Sequence, residues 1–168
     1  ITEWFPEAKT VGLLYCSAEA NSQYQVDEVQ KFLEAKGLTV TQYPFADSND
    51  MAAVTQTACD NSDVIYVPTD NTVANSTGMV DAICRAKKVP VIAGEEGICS
   101  GCGVATLCIS YYDLGVATGE MAIKILNGTA DISQMPIEYA KNTTKKYNAD
   151  ICEYLEIEPL EGYIAIGE

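Results

Sequence analysis

The chain has 168 residues, 48% of them hydrophobic, and a formal net charge of −14 with no histidine. This length and composition suit one globular domain with an ordinary core. The negative charge argues against a nucleic-acid partner, which needs a basic surface. The absence of histidine excludes hydrolases of the Ser-His-Asp and Cys-His types. No apolar run approaches the ~20 residues of a membrane-spanning helix.

Strand and helix patterns alternate along the first 126 residues. Short apolar, β-branched runs predict buried strands, and stripes of apolar residues at helical spacing predict the helices between them. Five strand–helix units in this order predict a doubly wound α/β fold, with a parallel five-stranded sheet of flavodoxin-like strand order. In chain order, the predicted elements are strand 11–15, helix 22–36, strand 39–43, helix 50–61, strand 64–67, helix 71–87, strand 91–93, strand 105–110 and helix 113–126.

The pattern loosens after Gly128. Short strands are predicted at 135–139 and 144–147, and a short helix at 149–155. The acidic tail 156–168 shows no pattern and is predicted to be irregular. We therefore expect an α/β domain over 1–148, followed by a C-terminal helix and acidic tail over 149–168.

Seven cysteines form an odd set without the spacing of a disulfide framework. This usage indicates a reducing or oxygen-poor setting, since free thiols persist poorly in oxidising compartments. Cys99 and Cys102 form the one CxxC motif. A single pair cannot complete a four-ligand zinc site, and this one precedes a strand instead of opening a helix after one. It is interpreted as an ordinary pair of loop residues.

Polar loops follow the first and third predicted strands. In an open α/β sheet, residues at the carboxyl ends of the strands line the ligand crevice. The first loop, 17–22, leads into a helix whose N–H groups favour a carboxylate; Asn21 and Ser22 either add donors to it or only cap the helix. The second loop, 69–71, carries Asp70, which either accepts a charge-assisted hydrogen bond from an ammonium group or caps the next helix.

A third polar loop, 94–97, follows the fourth strand and carries two adjacent acids. Neighbouring side chains of an extended segment point in opposite directions, so at most one of them faces the crevice. Glu95, which is nearer the strand, is preferred over Glu96. After the fifth strand, Tyr111 and Tyr112 are expected to pack in the core, with contact between one ring and the ligand as the alternative.

Two other functions fit parts of this pattern. A flavodoxin-like electron carrier or enzyme would place the phosphate of FMN on loop 17–22, where the charge of Glu19 opposes it. A receiver domain would use Asp70 as phosphoacceptor. That chemistry also needs an acidic pair after the first strand and a lysine after the fifth, and the chain has neither. The preferred hypothesis is non-catalytic ligand capture without a cofactor.

Four segments carry a resemblance to a known family: VGLLYCSAEAN at 11–21, YVPTDNTV at 66–73, VIAGEEG at 91–97 and SYYDLGVATG at 110–119. They resemble the substrate-binding proteins of ABC transporters, above all the subgroup associated with tryptophan and tyrosine. The resemblance extends to about residue 148. It implies a type I periplasmic-binding-protein fold, in which two α/β lobes close on a ligand, and this chain is similar to the second lobe only.

The resemblance also implies the site and the partners. An aromatic amino acid would bind in the interlobe cleft, with its ammonium on Asp70 and its carboxylate on loop 17–22. The implied partners are an ABC permease and ATPase, the missing first lobe, and a second copy through the exposed lobe face. The implied location is outside the cytoplasmic membrane of a bacterium, as a membrane-anchored lipoprotein. The residues on the ligand loops are Ser17, Glu19, Asn21, Ser22, Thr69, Asp70, Asn71 and Glu95.

Overall fold

The computed structural model describes residues 1–140 and 142–167. The described chain forms two compact units. One comprises Ile1–Leu107 together with the chain from Lys145 onward, and the other comprises Cys108–Thr144. The division expected at residue 148, between a lobe and a tail, stays a prediction.

Helices and strands alternate through most of the described residues. The strands are β1 Thr10–Cys16, β2 Thr39–Phe45, β3 Val64–Val67, β4 Val91–Ala93, β5 Ala105–Ile109, β6 Thr143–Tyr147 and β7 Ile164–Ala165. The helices are α1 Ala20–Ala35, α2 Ser48–Asp60, α3 Asn71–Ala74, α4 Thr77–Lys87, α5 Glu96–Cys102, α6 Tyr111–Leu126 and α7 Ala149–Leu155.

The strands form one sheet in the order β2-β1-β3-β4-β5-β6-β7. β1 pairs in parallel with β2 and β3, and β3 with β4 and β4 with β5 also pair in parallel. The predicted order of the first five strands is therefore confirmed. The sheet has two further strands, and β7 lies in the tail that was predicted to be irregular. A two-residue strand is too short to leave a pattern in the sequence.

Three other predicted elements differ from the structure. The helix predicted at 71–87 is interrupted, because the chain leaves helical geometry at Ser76, where φ is −139° and ψ is 22°. The loop predicted around the CxxC motif is helix α5, which Glu95 caps at its N-terminus. The strand predicted at 135–139 is absent, and Ile137 and Tyr139 are exposed, so no buried face stabilises it.

Alternate residues of β1 enter two different cores. Leu14 packs with residues of α2, α4 and α5 on one face of the sheet. Val11 and Leu13 pack on the other face with Val26 and Leu33 of α1. This division follows from the two-residue period of a strand, and burial on both faces explains the continuous apolar run that predicted β1.

Among the described residues, no helix is both long enough and apolar enough to span a membrane.

Candidate functional site

Hydrogen bonds join the loop after β3 to the first turns of α1. The Asn21 amide and the Ser22 hydroxyl donate to the carbonyl oxygen of Thr69, at 2.9 and 3.2 Å. The Thr69 N–H in turn donates to the Gln25 side chain at 3.0 Å. The structure thus brings together two of the predicted ligand loops. Gln25, which lies one turn into the helix, was not singled out in the sequence.

Glu19 occupies the start of α3. Its carboxylate accepts hydrogen bonds from the N–H and the side-chain amide of Asn71, at 3.0 and 2.9 Å. It also accepts from the N–H and the hydroxyl of Thr72, at 2.9 and 2.8 Å. Partial burial raises the pKa of Glu19, but the hydrogen bonds from Asn71 and Thr72 outweigh it, so the pKa lies below 4.5. Glu19 is therefore a cross-link between β1 and α3, and Thr72 is a site residue that the sequence did not indicate.

Asp70, in the loop after β3, is buried, with 1% of its surface exposed. One carboxylate oxygen accepts from the Cys16 N–H at 2.8 Å, and the other accepts from the Val73 N–H at 2.9 Å. The side chain thus caps α3 and ties it to the end of β1, as the capping alternative expects. Direct contact between Asp70 and an ammonium group stays a prediction.

The third loop lies against the second. A side chain at Gly94 would come within 3.0 Å of the backbone at Pro68 and Thr69, so only glycine allows this approach. Glu95 accepts hydrogen bonds from the N–H groups of Gly97 and Ile98 at the start of α5. All three polar loops therefore meet at one edge of the sheet.

Glu96 and Ser17 are directed to other partners. The Glu96 carboxylate forms an ion pair with Lys146 on β6, at 2.7 Å. The Ser17 hydroxyl donates to the carbonyl oxygen of Phe45 at 3.1 Å, which joins the first loop to the end of β2. Glu95 and Glu96 thus have different partners, and the preference for Glu95 as the residue that faces the crevice stays a prediction.

Four helices of the first unit, α1, α2, α3 and α5, directly follow the carboxyl ends of β1 to β4, and they differ in what their first N–H groups bind. Carboxylates accept from the first turn of α2 (Asp47), from that of α3 (Glu19 and Asp70) and from that of α5 (Glu95). No side chain caps α1 among the described residues. The N-terminus of this 16-residue helix carries partial positive charge and remains open to an anion.

Tyr111 and Tyr112 begin α6, in the second compact unit. Their exposed fractions are 62% and 80%. The expectation that they pack in the core is therefore wrong. Aromatic rings are most often buried, and nothing in the local pattern distinguishes these two from core residues.

Replacing Asp70 with alanine is expected to lower the free energy of unfolding by about 2–4 kcal/mol, because two backbone N–H groups lose a charged, buried partner. Asp47 provides a matched control: it also caps a helix, through Asn49, but on the surface, and Asp47→Ala is expected to lose about 1 kcal/mol. Urea denaturation of both variants measures the difference. Equal losses would contradict the bridging role of Asp70.

Replacing Glu19 with glutamine is expected to change how stability depends on pH. Because the pKa of Glu19 in the folded protein lies below its ordinary value of 4.5, the ionised group stabilises the fold above that pH. This stabilisation is lost as the pH falls through the lowered pKa. Urea denaturation at several pH values should show that Glu19→Gln is less stable than the wild type at neutral pH and that the difference shrinks in acid. A difference that is constant with pH would contradict the hydrogen-bonded, ionised role.

The chain is similar to proteins of a known family. Residues 1–164 match the family described as ABC transporter substrate binding protein. The chain is 31% identical, over 155 residues, to the tyrosine-binding protein of Clostridioides difficile, a match that covers 92% of this chain and 45% of that protein. The chain thus spans less than half the length of this curated relative.

Two solved structures are also similar. One is the ligand-free, open structure of a substrate binding protein with adhesive properties from Clostridium difficile, with 36% identity and a TM-score of 0.80 over 98% of this chain and 56% of that one. The other is an ABC domain in complex with L-Trp from Streptococcus pneumoniae, with 31% identity and a TM-score of 0.87 over 99% of this chain and 59% of that one. The chain therefore belongs to the family of ABC transporter substrate-binding proteins.

Proposed function

We propose that this chain is the second ligand-binding lobe of the solute-binding component of an ABC importer, and that it captures an aromatic amino acid without catalysis. The observation that carries the proposal is the open N-terminus of α1, which follows β1 at an edge where the helices that follow β2, β3 and β4 have carboxylates at their first turns. An amino-acid carboxylate is the kind of anion that such a terminus binds.

The ligand carboxylate would lie on the first turn of α1, beside Ser17 and Asn21. The Thr69 hydroxyl, which makes no hydrogen bond to the described part of the chain, is available to the same ligand. Three carboxylates at this edge (Glu19, Asp70 and Glu95) would favour the ligand ammonium. In this proposal Ser22 and Asp70, which are buried, hold the loops in place, while Asn71 and Glu95 remain partly accessible.

The aromatic class of the ligand is supported by the relatives. The Clostridioides difficile relative is a tyrosine-binding protein, and the Streptococcus pneumoniae structure contains L-Trp. The family match also favours capture over the flavodoxin-like and receiver-domain alternatives.

The missing first lobe is the first of the proposed partners. In the second unit, α6 has no buried residue. Tyr112, Val116, Ile123 and Leu126 are exposed and recur at intervals of three or four residues and their multiples, which places them on one face of the helix. Because the chain covers only 45% of its tyrosine-binding relative, we propose that the remainder of the full-length protein covers this face.

The other partners follow from the family. An ABC permease and its ATPase would receive the ligand, and the protein would act outside the cytoplasmic membrane, held there as a lipoprotein. An isolated chain with an uncovered apolar face would also tend to pair with a second copy.

The first experiment is isothermal titration of the full-length protein that contains this chain, with L-tyrosine and L-tryptophan. One-to-one binding is expected. Thr69→Val, which removes one neutral hydrogen bond and keeps the side-chain volume, should weaken it about threefold to tenfold. Thr57→Val on the exposed side of α2 is the control and should bind as the wild type does. No binding of any amino acid would refute the proposed ligand class.

The proposal that the remainder of the full-length protein covers α6 is tested by Ile123→Ser, made both in the 168-residue chain and in the full-length protein. In the 168-residue chain the substitution is expected to change the free energy of unfolding by less than about 0.5 kcal/mol, because Ile123 is exposed there. In the full-length protein the same substitution should destabilise by about 1–3 kcal/mol. Glu120→Gln, an exposed residue of the same helix, should have little effect in either context. An equally small effect of Ile123→Ser in both would contradict the proposal.

A further inference from the structure

Two cysteines from neighbouring helices face each other inside the first unit. Cys59 lies in the last turn of α2, and Cys84 lies in the last turn of α4. Their sulfur atoms are 3.6 Å apart and share a hydrogen bond. Both residues are buried, with exposed fractions of 6% and 3%.

The surroundings hold this pair in place. Asp60 and Lys87, which flank the two cysteines, form an ion pair of 2.6 Å between the same two helices. A disulfide closes at a sulfur–sulfur distance of about 2.05 Å, so each sulfur needs to move by less than about 1 Å.

We propose that Cys59 and Cys84 are a disulfide-forming site, which closes when the protein meets a small disulfide oxidant. The Cys59 thiol loses its proton to water, and its thiolate attacks one sulfur of the oxidant, releasing one small thiolate and leaving a mixed disulfide. Cys84 then loses its proton and attacks the Cys59 sulfur, which releases the second thiolate. Two protein thiols are oxidised to one disulfide, and one oxidant disulfide is reduced to two thiols.

The order of attack follows from the local chemistry. Cys59 is the more exposed of the two. The hydrogen bond between the two thiols lowers the pKa of Cys59, whereas the same hydrogen bond and burial raise the pKa of Cys84. A thiol with the lower pKa supplies the attacking thiolate.

The CxxC motif is a weaker candidate, although it is the pair that the sequence makes conspicuous. Within α5, the Cys99 thiol is directed to the Gly103 carbonyl at 3.6 Å and the Cys102 thiol to the Ile98 carbonyl at 3.4 Å. Burial also raises the pKa of Cys102 to about 12. Both of these thiols are thus directed to backbone carbonyls, whereas those of Cys59 and Cys84 are directed to each other.

The test uses the 168-residue chain, incubated with oxidised glutathione in a low, non-denaturing concentration of urea that lets the helices open locally. Non-reducing digestion and mass spectrometry should find the Cys59 and Cys84 peptides joined, with the loss of two hydrogen atoms. The disulfide closes the loop between Cys59 and Cys84 and should raise the melting temperature by roughly 10 °C. Reduction with dithiothreitol should reverse this rise.

Matched variants separate this pair from the other thiols. Cys84→Ala should abolish both the cross-link and the rise in melting temperature, with Cys59→Ala as a second route if the first variant folds poorly. Cys152→Ala removes another buried cysteine of the same unit and should keep both effects. The proposal is overturned if all seven cysteines can still be alkylated after the oxidation step, or if the cross-link joins Cys99 to Cys102.

Discussion

The candidate site depends on one buried carboxylate. Asp70 accepts one backbone N–H from the end of β1 and one from the first turn of α3, and almost none of it reaches solvent. A buried charge is tolerated only where hydrogen bonds replace its hydration, and these two donors do so. By fixing α3 to β1, Asp70 determines where the partly exposed residues of the neighbouring loops lie.

The acidic residues of this edge are divided between helix starts. Glu19 and Asp70 occupy the first turn of α3, and Glu95 occupies that of α5. Positive ends of helix dipoles that are already paired with protein carboxylates have little left for an anionic ligand. α1, which directly follows β1, has no side-chain cap among the described residues; α4, which follows α3 instead of a strand, also has none.

Stability and reactivity are also distributed unevenly along the chain. The three hydrophobic cores lie in the first unit, whereas α6 of the second unit has no buried residue. The cysteines show the opposite arrangement: all seven are buried, so their reactivity depends on local opening of the packed helices.

The sequence by itself determined the α/β class, the order of the first five strands and the three loops that meet at one edge, because two-residue and 3.6-residue periods and strand-end polarity are local signals. Only the tertiary structure decided what each polar side chain does there. Asp70 and Glu95 cap helices, Glu19 binds Thr72, and Cys59 meets Cys84 across 25 positions of sequence. Tertiary folding brings Glu19 to Thr72 and Cys59 to Cys84, because these partners lie far apart in the sequence. The hydrophobic periodicity of one segment gives no information about which distant residue will lie beside it.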